Sequence, residues 1–224
     1  MIKFVFSLTI LLTGLTATAV ADDAAPPEGM KLVYHHDFED RKIDRYEPTD
    51  SSAWTLLEKD GNQVIALTKK NSDFKPPVRS PLNRTLIRDL TAASFVMDIK
   101  LQSTIPDYDH RSLCLFFGYQ DDSHLYYVHF GKKTDDHANQ IFIVNNEARK
   151  KISTQTTPGT PWTDNWHRAR IIRDFDSGEI TVFFDDLETP VMTATDKTFG
   201  KGRLGFGSFD DIGNFDDVKI YVPK

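Results

Sequence analysis

Apolar and polar positions along this chain alternate in short stretches, as in Val64-x-Ala66-x-Thr68, Phe95-x-Met97-x-Ile99 and Val218-x-Ile220-x-Val222. A period of two is the pattern of a strand with one buried face. Eleven β-rich runs recur along the chain: Leu32–Phe38, Ala53–Lys59, Gln63–Thr68, Ser94–Leu101, Ser112–Tyr119, Leu125–Phe130, Gln140–Asn145, His167–Arg173, Glu179–Phe184, Arg203–Phe209 and Phe215–Val222. Gly, Asp, Asn or Pro bounds each one, and no segment keeps a helical period for three or four turns. Many short strands between turn signals predict an all-β sandwich or barrel. Two hairpins are explicit, at Lys59-Asp60-Gly61-Asn62 and across Asp174–Glu179.

The N-terminus follows a different rule. Lys3 precedes an uncharged stretch from Phe4 to Val20 that closes on Ala19-Val20-Ala21. A positive start, an apolar middle and a small-x-small end make a cleavable secretory signal over residues 1–21. A membrane anchor needs about 20 strongly apolar residues, and this Thr-rich stretch is shorter. No Cys follows it for lipidation. Residues 22–30 then form a flexible leader, and residues 31–224 one domain of a size common for sandwiches. The expected location is the periplasm or the exterior.

Composition narrows the partners. The net charge of −6 gives no electrostatic reason to bind nucleic acid or an anionic membrane. The single Cys114 lies in Leu113-Cys114-Leu115-Phe116-Phe117 and reads as a small buried hydrophobe. A domain of this size buries enough core to need no disulfide.

Several segments carry a likeness. Trp166-His167-Arg168-Ala169-Arg170 is followed by Gly178-Glu179-Ile180-Thr181-Val182-Phe183-Phe184-Asp185-Asp186, then by Thr198-Phe199-Gly200-Lys201-Gly202-Arg203-Leu204-Gly205-Phe206-Gly207 and Phe215-Asp216-Asp217-Val218-Lys219-Ile220. With His36-Asp37-Phe38-Glu39-Asp40 and Trp54 at the front, the chain resembles the concanavalin A-like lectin/glucanase jelly roll. The branch it resembles holds laminin-G-like and 3-keto-disaccharide hydrolase-like (family 16 glycoside hydrolase-like) bacterial secreted domains. The likeness spans most of Leu32–Val222. It implies two curved antiparallel sheets, a concave face that meets carbohydrate, and a structural calcium between the first and last strands. Asp37 and Asp216 are the expected Ca²⁺ ligands, since that ion takes hard oxygen donors. Asp216 shares parity with Val218 and Ile220, which predicts an inward carboxylate; turn capping by both residues is the alternative. Gly202, Gly205 and Gly207 suit bends or close backbone approach.

The candidate site lies in Tyr108–Arg111 and Tyr126–Gln140. Alternation puts Leu125, Tyr127 and His129 on one face of a strand, against Tyr126, Val128 and Phe130 on the other. Rings that stack on pyranose faces, with polar tips for hydroxyls, suit a saccharide. Tyr127, His129, Arg111, His110, Lys132, His137 and Gln140 are the expected ligand-binding residues. Of these, His129, Tyr127 and Arg111 also suit general acid–base chemistry, and a solvated strand face explains the same residues without either role. His110, His124 and His137 match no compact zinc spacing. The family 16-type Glu-x-Asp-x-x-Glu strand is missing, as is a Glu-x-Gln near Asn139-Gln140-Ile141-Phe142-Ile143, and retaining hydrolysis needs two carboxyl groups about 5 Å apart.

The sequence thus points first to a non-catalytic carbohydrate-recognition domain. The alternatives are a glycan-cleaving hydrolase or lyase, and a structural or protein-interaction module. Purified exported protein is expected to begin at or near Asp22, and a mass spectrum retaining Met1 would overturn the signal assignment.

Overall fold

All eleven sequence-predicted runs become strands in the computed structural model, which describes residues 26–224. The signal segment lies outside the described residues. In chain order the strands are β1 (Met30–His36), β2 (Tyr46–Pro48), β3 (Trp54–Lys59), β4 (Asn62–Leu67), β5 (Asn83–Ala92), β6 (Phe95–Ser103), β7 (Ser112–Asp121) and β8 (His124–Gly131). There follow β9 (Gln140–Asn145), β10 (Lys150–Lys151), β11 (Ser153–Thr156), β12 (His167–Arg173), β13 (Glu179–Phe184), β14 (Met192–Thr195), β15 (Gly202–Ser208) and β16 (Gly213–Pro223). The five that the periodicity did not disclose are β2, β5, β10, β11 and β14. Four of these are too short to show a pattern. The fifth, β5, is long but carries Arg84, Arg88 and Asp89, and Asp89 takes a left-handed φ of 54°.

The strands form two antiparallel sheets, as a jelly-roll sandwich requires. The first runs β11-β14-β13-β12-β6-β16-β4-β3, with β1 also paired to β16; the second runs β10-β9-β8-β7-β15-β5-β2. Neighbours far apart in sequence, such as β6 with β16 and β7 with β15, tie the chain's ends into both sheet centres. The leader is shorter than expected at its C-terminal end. Met30 already pairs with Pro223, and the Lys224 amide donates to the Gly29 carbonyl.

Period-two alternation fills the space between the sheets. Phe95, Met97, Ile99 and Leu101 of β6 face Leu113, Leu115 and Phe117 of β7 and Tyr126, Val128 and Phe130 of β8 within one buried core. Trp54, Phe206 and Phe215 meet at one end with centroids 4.8–5.8 Å apart. At the other end the Trp162 indole donates to the Phe130 carbonyl at 2.7 Å and packs on Phe184. Both tryptophans are buried and anchor the core.

Turn chemistry sets the register. Asp60 and Gly61 have φ of 54° and 81°, the two left-handed residues of a type I′ turn, so Lys59 pairs with Asn62. In β15 the backbone of Gly205 lies so near β5 that a Cβ there would stand 2.0 Å from the Thr85 carbonyl oxygen. This is the close approach expected of that glycine. Gly205→Ala must push two central strands apart, and is expected to cost about 1–3 kcal/mol or more, read as a lowered denaturant midpoint in urea unfolding. An unchanged midpoint would refute the packing argument.

Candidate functional site

The second sheet is apolar on both faces. Tyr126, Val128 and Phe130 enter the inter-sheet core, while Leu125 and Tyr127 join Leu86, Cys114, Phe116, Phe142 and Val144 in a separate cluster on the outer face. The expected exposed sugar-stacking face is therefore buried: Tyr127 is 0% and His129 5% exposed. The cover comes from the β4–β5 connection, whose Val78 packs on the cluster, and from Phe209 after β15. The connection is fastened at its roots by the Asn83 side-chain amide, which donates to the Lys69 and Lys70 carbonyls, and by the Ser72 hydroxyl on Leu82.

Where that cover stops, a pocket of about 210 Å³ opens on the outer face. His129 and Phe209 form its floor, their rings stacked 9° from parallel at 6.0 Å. Arg79, Arg149, Tyr108, His110, His137 and Asp210 complete the wall. Arg149 is held in three ways. Its guanidinium lies 4.1 Å from the Phe209 centroid and 4.6 Å from that of Phe142. It also donates to the Tyr127 hydroxyl at 2.8 Å, and its Nη1 is 3.4 Å from His129 Nδ1. Tyr127 thus serves the pocket from beneath by orienting Arg149.

A chain of hydrogen bonds fixes the His129 tautomer. Its Nε2 lies 2.8 Å from Ser112 Oγ, and that hydroxyl reaches Asp211 Oδ2 at 3.3 Å. Asp211 also accepts from the Ser112 amide and from the Tyr108 hydroxyl. With Ser112 donating onward to Asp211, Nε2–H donates to Ser112 and Nδ1 stays a bare acceptor facing Arg149. A proton on Nδ1 would set donor against donor and cation against cation. Burial, reinforced by the Arg149 charge, pushes the His129 pKa down to about 3. Burial likewise raises the Asp211 carboxyl, and burial with the Asp211 bond raises the Tyr108 hydroxyl far above its usual range.

The remaining expected residues divide. His110 and His137 reach the pocket rim, and His110 Nε2 is 2.9 Å from Asp135. Arg111 does not reach it. Its parity is that of Leu113, so it points between the sheets, where it bonds Ser103 and Asp164 at 2.9–3.0 Å. Lys132 instead pairs with Asp107, and Gln140, beside His129 in register, spends its amide on the Asp135 carbonyl. Sequence reasoning missed Arg79, Arg149, Phe209 and Asp210. Arg149 opens Arg149-Lys150-Lys151, a run of the kind common in charged turns, and Phe209 closes a predicted strand. The one available signal was Lys75-Pro76-Pro77-Val78-Arg79, a proline-stiffened connection too long for a simple turn.

Asp37 and Asp216, the expected calcium ligands, are each engaged within the protein. Phe215 and Val218 both face the core, because Asp217 (φ 48°) forms a bulge between them. The bulge flips parity, so Asp216 points outward rather than inward. Its oxygens accept from Asn62 Nδ2 at 2.9 Å and from the Asp217 amide at 2.7 Å. Asp37 accepts from the Glu39 amide in its own turn. Among the described residues no group of three or more His, Cys, Asp or Glu gathers as a metal would need. Burial raises the Asp216 carboxyl to about 6, against the two hydrogen bonds that oppose it.

No family model matches the chain, and no curated protein sequence matches it. Solved structures do. A carbohydrate-binding module, CBM66, from Bacillus subtilis is 14% identical at a TM-score of 0.56, covering 80% of this chain and 96% of its own. Domain 4 of AbnA, a GH43 extracellular arabinanase from Geobacillus stearothermophilus solved with arabinotriose, is 11% identical at 0.59, covering 88% and 94%. Winged bean acidic lectin, solved with methyl-α-D-galactose, is 13% identical at 0.52, covering 87% and 98%. At these identities the likeness concerns the fold, a jelly-roll sandwich of two antiparallel sheets.

The buried neutral histidine has a measurable consequence. Its folded pKa lies below the unfolded 6.5, so the unfolded state takes the proton first as pH falls. Stability is expected to drop below pH 6.5 by about 1.4 kcal/mol per unit, or about 2 kcal/mol at pH 5. Asp216, with a raised pKa, acts with the opposite sign between about pH 6 and 3.8. His129→Gln leaves Asp216 in place, so the difference between the two proteins' melting temperatures from pH 7 to 5 isolates the histidine. Parallel curves would show that His129 is not held neutral.

Proposed function

We propose that this chain is an exported carbohydrate-binding domain that takes its ligand, without cleaving it, in the pocket over His129. The observation that carries the proposal is the make-up of that pocket: an aromatic and guanidinium floor ringed by hydrogen-bonding side chains. Flat rings meet the apolar faces of a pyranose, and fixed donors and acceptors meet its hydroxyls. The volume, below the 300–1,000 Å³ of typical drug-sized sites, suits a single sugar ring or a chain end. The neighbours supply support of a second kind. CBM66 is itself a carbohydrate-binding module, and two of the other solved structures hold arabinotriose and a galactoside.

The same chemistry speaks against turnover. A general base works best with a pKa near the working pH. His129 lies near 3 with both ring nitrogens engaged, and Tyr108 donates to a buried carboxylate. Asp210 is the one carboxylate of the lining, whereas glycoside hydrolysis by the usual routes uses two.

Titration of a polysaccharide panel, with reducing-end and unsaturated-product assays on the same mixtures, is expected to give saturable binding and no products. Phe209→Ala removes a half-buried ring of the floor, and is expected to weaken binding roughly tenfold while far-UV circular dichroism stays unchanged. Product release would instead establish a glycan-cleaving enzyme. Failure of every glycan to bind would leave a structural or protein-interaction module.

A further inference from the structure

The pocket gathers the guanidiniums that have neither a carboxylate nor a backbone-carbonyl partner for their side chain among the described residues. The chain has 33 acidic residues against 27 basic ones, so carboxylates are in excess. Eight of its eleven arginines face one of them. A ninth, Arg173, donates to the Gly178 and Asp196 backbone carbonyls. The two left without a carboxylate among the described residues are Arg79 and Arg149, and both line this pocket. Their guanidiniums flank one ring, at 5.7 and 4.1 Å from the Phe209 centroid. A third cation, Lys70 Nζ, stands 6.0 Å from the centroid of Tyr108 on the pocket wall and likewise has no ion pair among the described residues.

We infer that the ligand of this pocket carries a carboxylate, as a uronic acid residue does; the inference rests on the saccharide proposal above and adds the charge. Arg149 is built for that task. Its Nη1 is spent on Tyr127 and faces His129, and its plane is fixed between Phe142 and Phe209. Nε and Nη2 have no hydrogen-bond partner among the described residues. A planar fork of parallel N–H groups with its orientation already set matches the two oxygens of a carboxylate. Arg149 is half-buried, and such a cation without a counter-ion is costly unless a ligand supplies one. The neutrality of His129 fits the same picture, since an imidazolium beneath Arg149 would displace the guanidinium it supports.

Two features favour a carboxylate over a densely charged anion. Asp210 stands on the wall with no ion pair among the described residues, and the protein as a whole is acidic. Both repel a polysulfate more than a singly charged sugar. Asp210 is instead placed to accept a hydroxyl of the same ring.

Isothermal titration should compare polygalacturonate and alginate with the same polymers after chemical reduction of their carboxyl groups, and with a sulfated galactan. At least one acidic polymer is expected to bind, more weakly as salt is raised, and to lose tenfold or more in affinity on carboxyl reduction. Arg79→Gln, on an exposed side chain that leaves the fold intact, and Arg149→Gln, checked for folding by its melting temperature, should each cost at least tenfold. Asp210→Asn should not weaken the carboxylate's contribution. Equal binding of native and reduced polymers, with both arginine variants unaffected, would overturn the carboxylate inference and leave the saccharide proposal standing. Tighter binding of the sulfated galactan than of either uronate would overturn it too. No binding in any arm would overturn the carboxylate inference, and the polysaccharide panel above then decides the saccharide proposal on its own.

Discussion

The arrangement described here depends on one constraint: the seven-stranded sheet is buried on both faces. An antiparallel sheet can keep one face wet, and then its strands alternate apolar and polar residues. β7 and β8 do not alternate in this way. Leu113-Cys114-Leu115-Phe116-Phe117 and Leu125-Tyr126-Tyr127-Val128 are continuous apolar runs, and every side chain in them is sequestered. The outer face must therefore be roofed, and a connection of 15 residues between β4 and β5 crosses it to do so. The pocket is the gap that this roof leaves. Its position is set by where Val78 and Phe209 stop covering β8, so the packing of the second cluster and the location of the site are one problem.

Burying a sheet face brings polar groups inside, and each needs a partner. His129 and Ser112 lie directly over the sheet, and the geometry resolves both through one relay. Nε2–H of His129 donates to Ser112, Ser112 to Asp211, and Tyr108 closes the far end on the same carboxylate. Asp211 in turn is held by its own amide on Ser208. The relay joins β8, β7, the β15–β16 connection and the β6–β7 connection, so the pocket wall is braced from several directions before any ligand arrives. Binding then requires less ordering of the wall, which is where much of the cost of association falls.

The sandwich was legible in the sequence because its signal is local. Alternation and turn residues are read within a few positions, and all eleven runs proved to be strands. What was illegible is what depends on the third dimension. Tyr127 and His129 were correctly placed on a common face, yet whether that face was wet depended on Val78 and Phe209, which are distant in sequence. Arg149 was invisible as a site residue because Arg-Lys-Lys is common in solvated turns; only the rings of Phe142 and Phe209 distinguish it from its neighbours. Arg111 misled for the converse reason. Its neighbour His110 reaches the pocket, and one step along a strand turns the side chain to the opposite face. The Asp216 parity failed through a single bulged residue, Asp217, which no period-two count can detect.

Charge is paired across the outer face of the nine-stranded sheet and left unpaired around Arg149, and this locates the site independently of the pocket's shape. On the nine-stranded sheet Asp98, buried at β6, accepts from both Arg168 and Arg170 at 2.6–2.8 Å, and Asp217 accepts from Lys219 and His35 at 2.9–3.0 Å. A ligand landing there would have to break ion pairs to gain contacts, and the exchange returns little. On the seven-stranded sheet Arg149 is tied to a phenol and to two rings, none of which neutralises it. A cation held rigid by uncharged groups keeps its field available, and a partly desolvated setting strengthens that field. The sheet whose outer face had to be roofed for apolar reasons thus also leaves the Arg149 charge unspent, beside a gap in that roof.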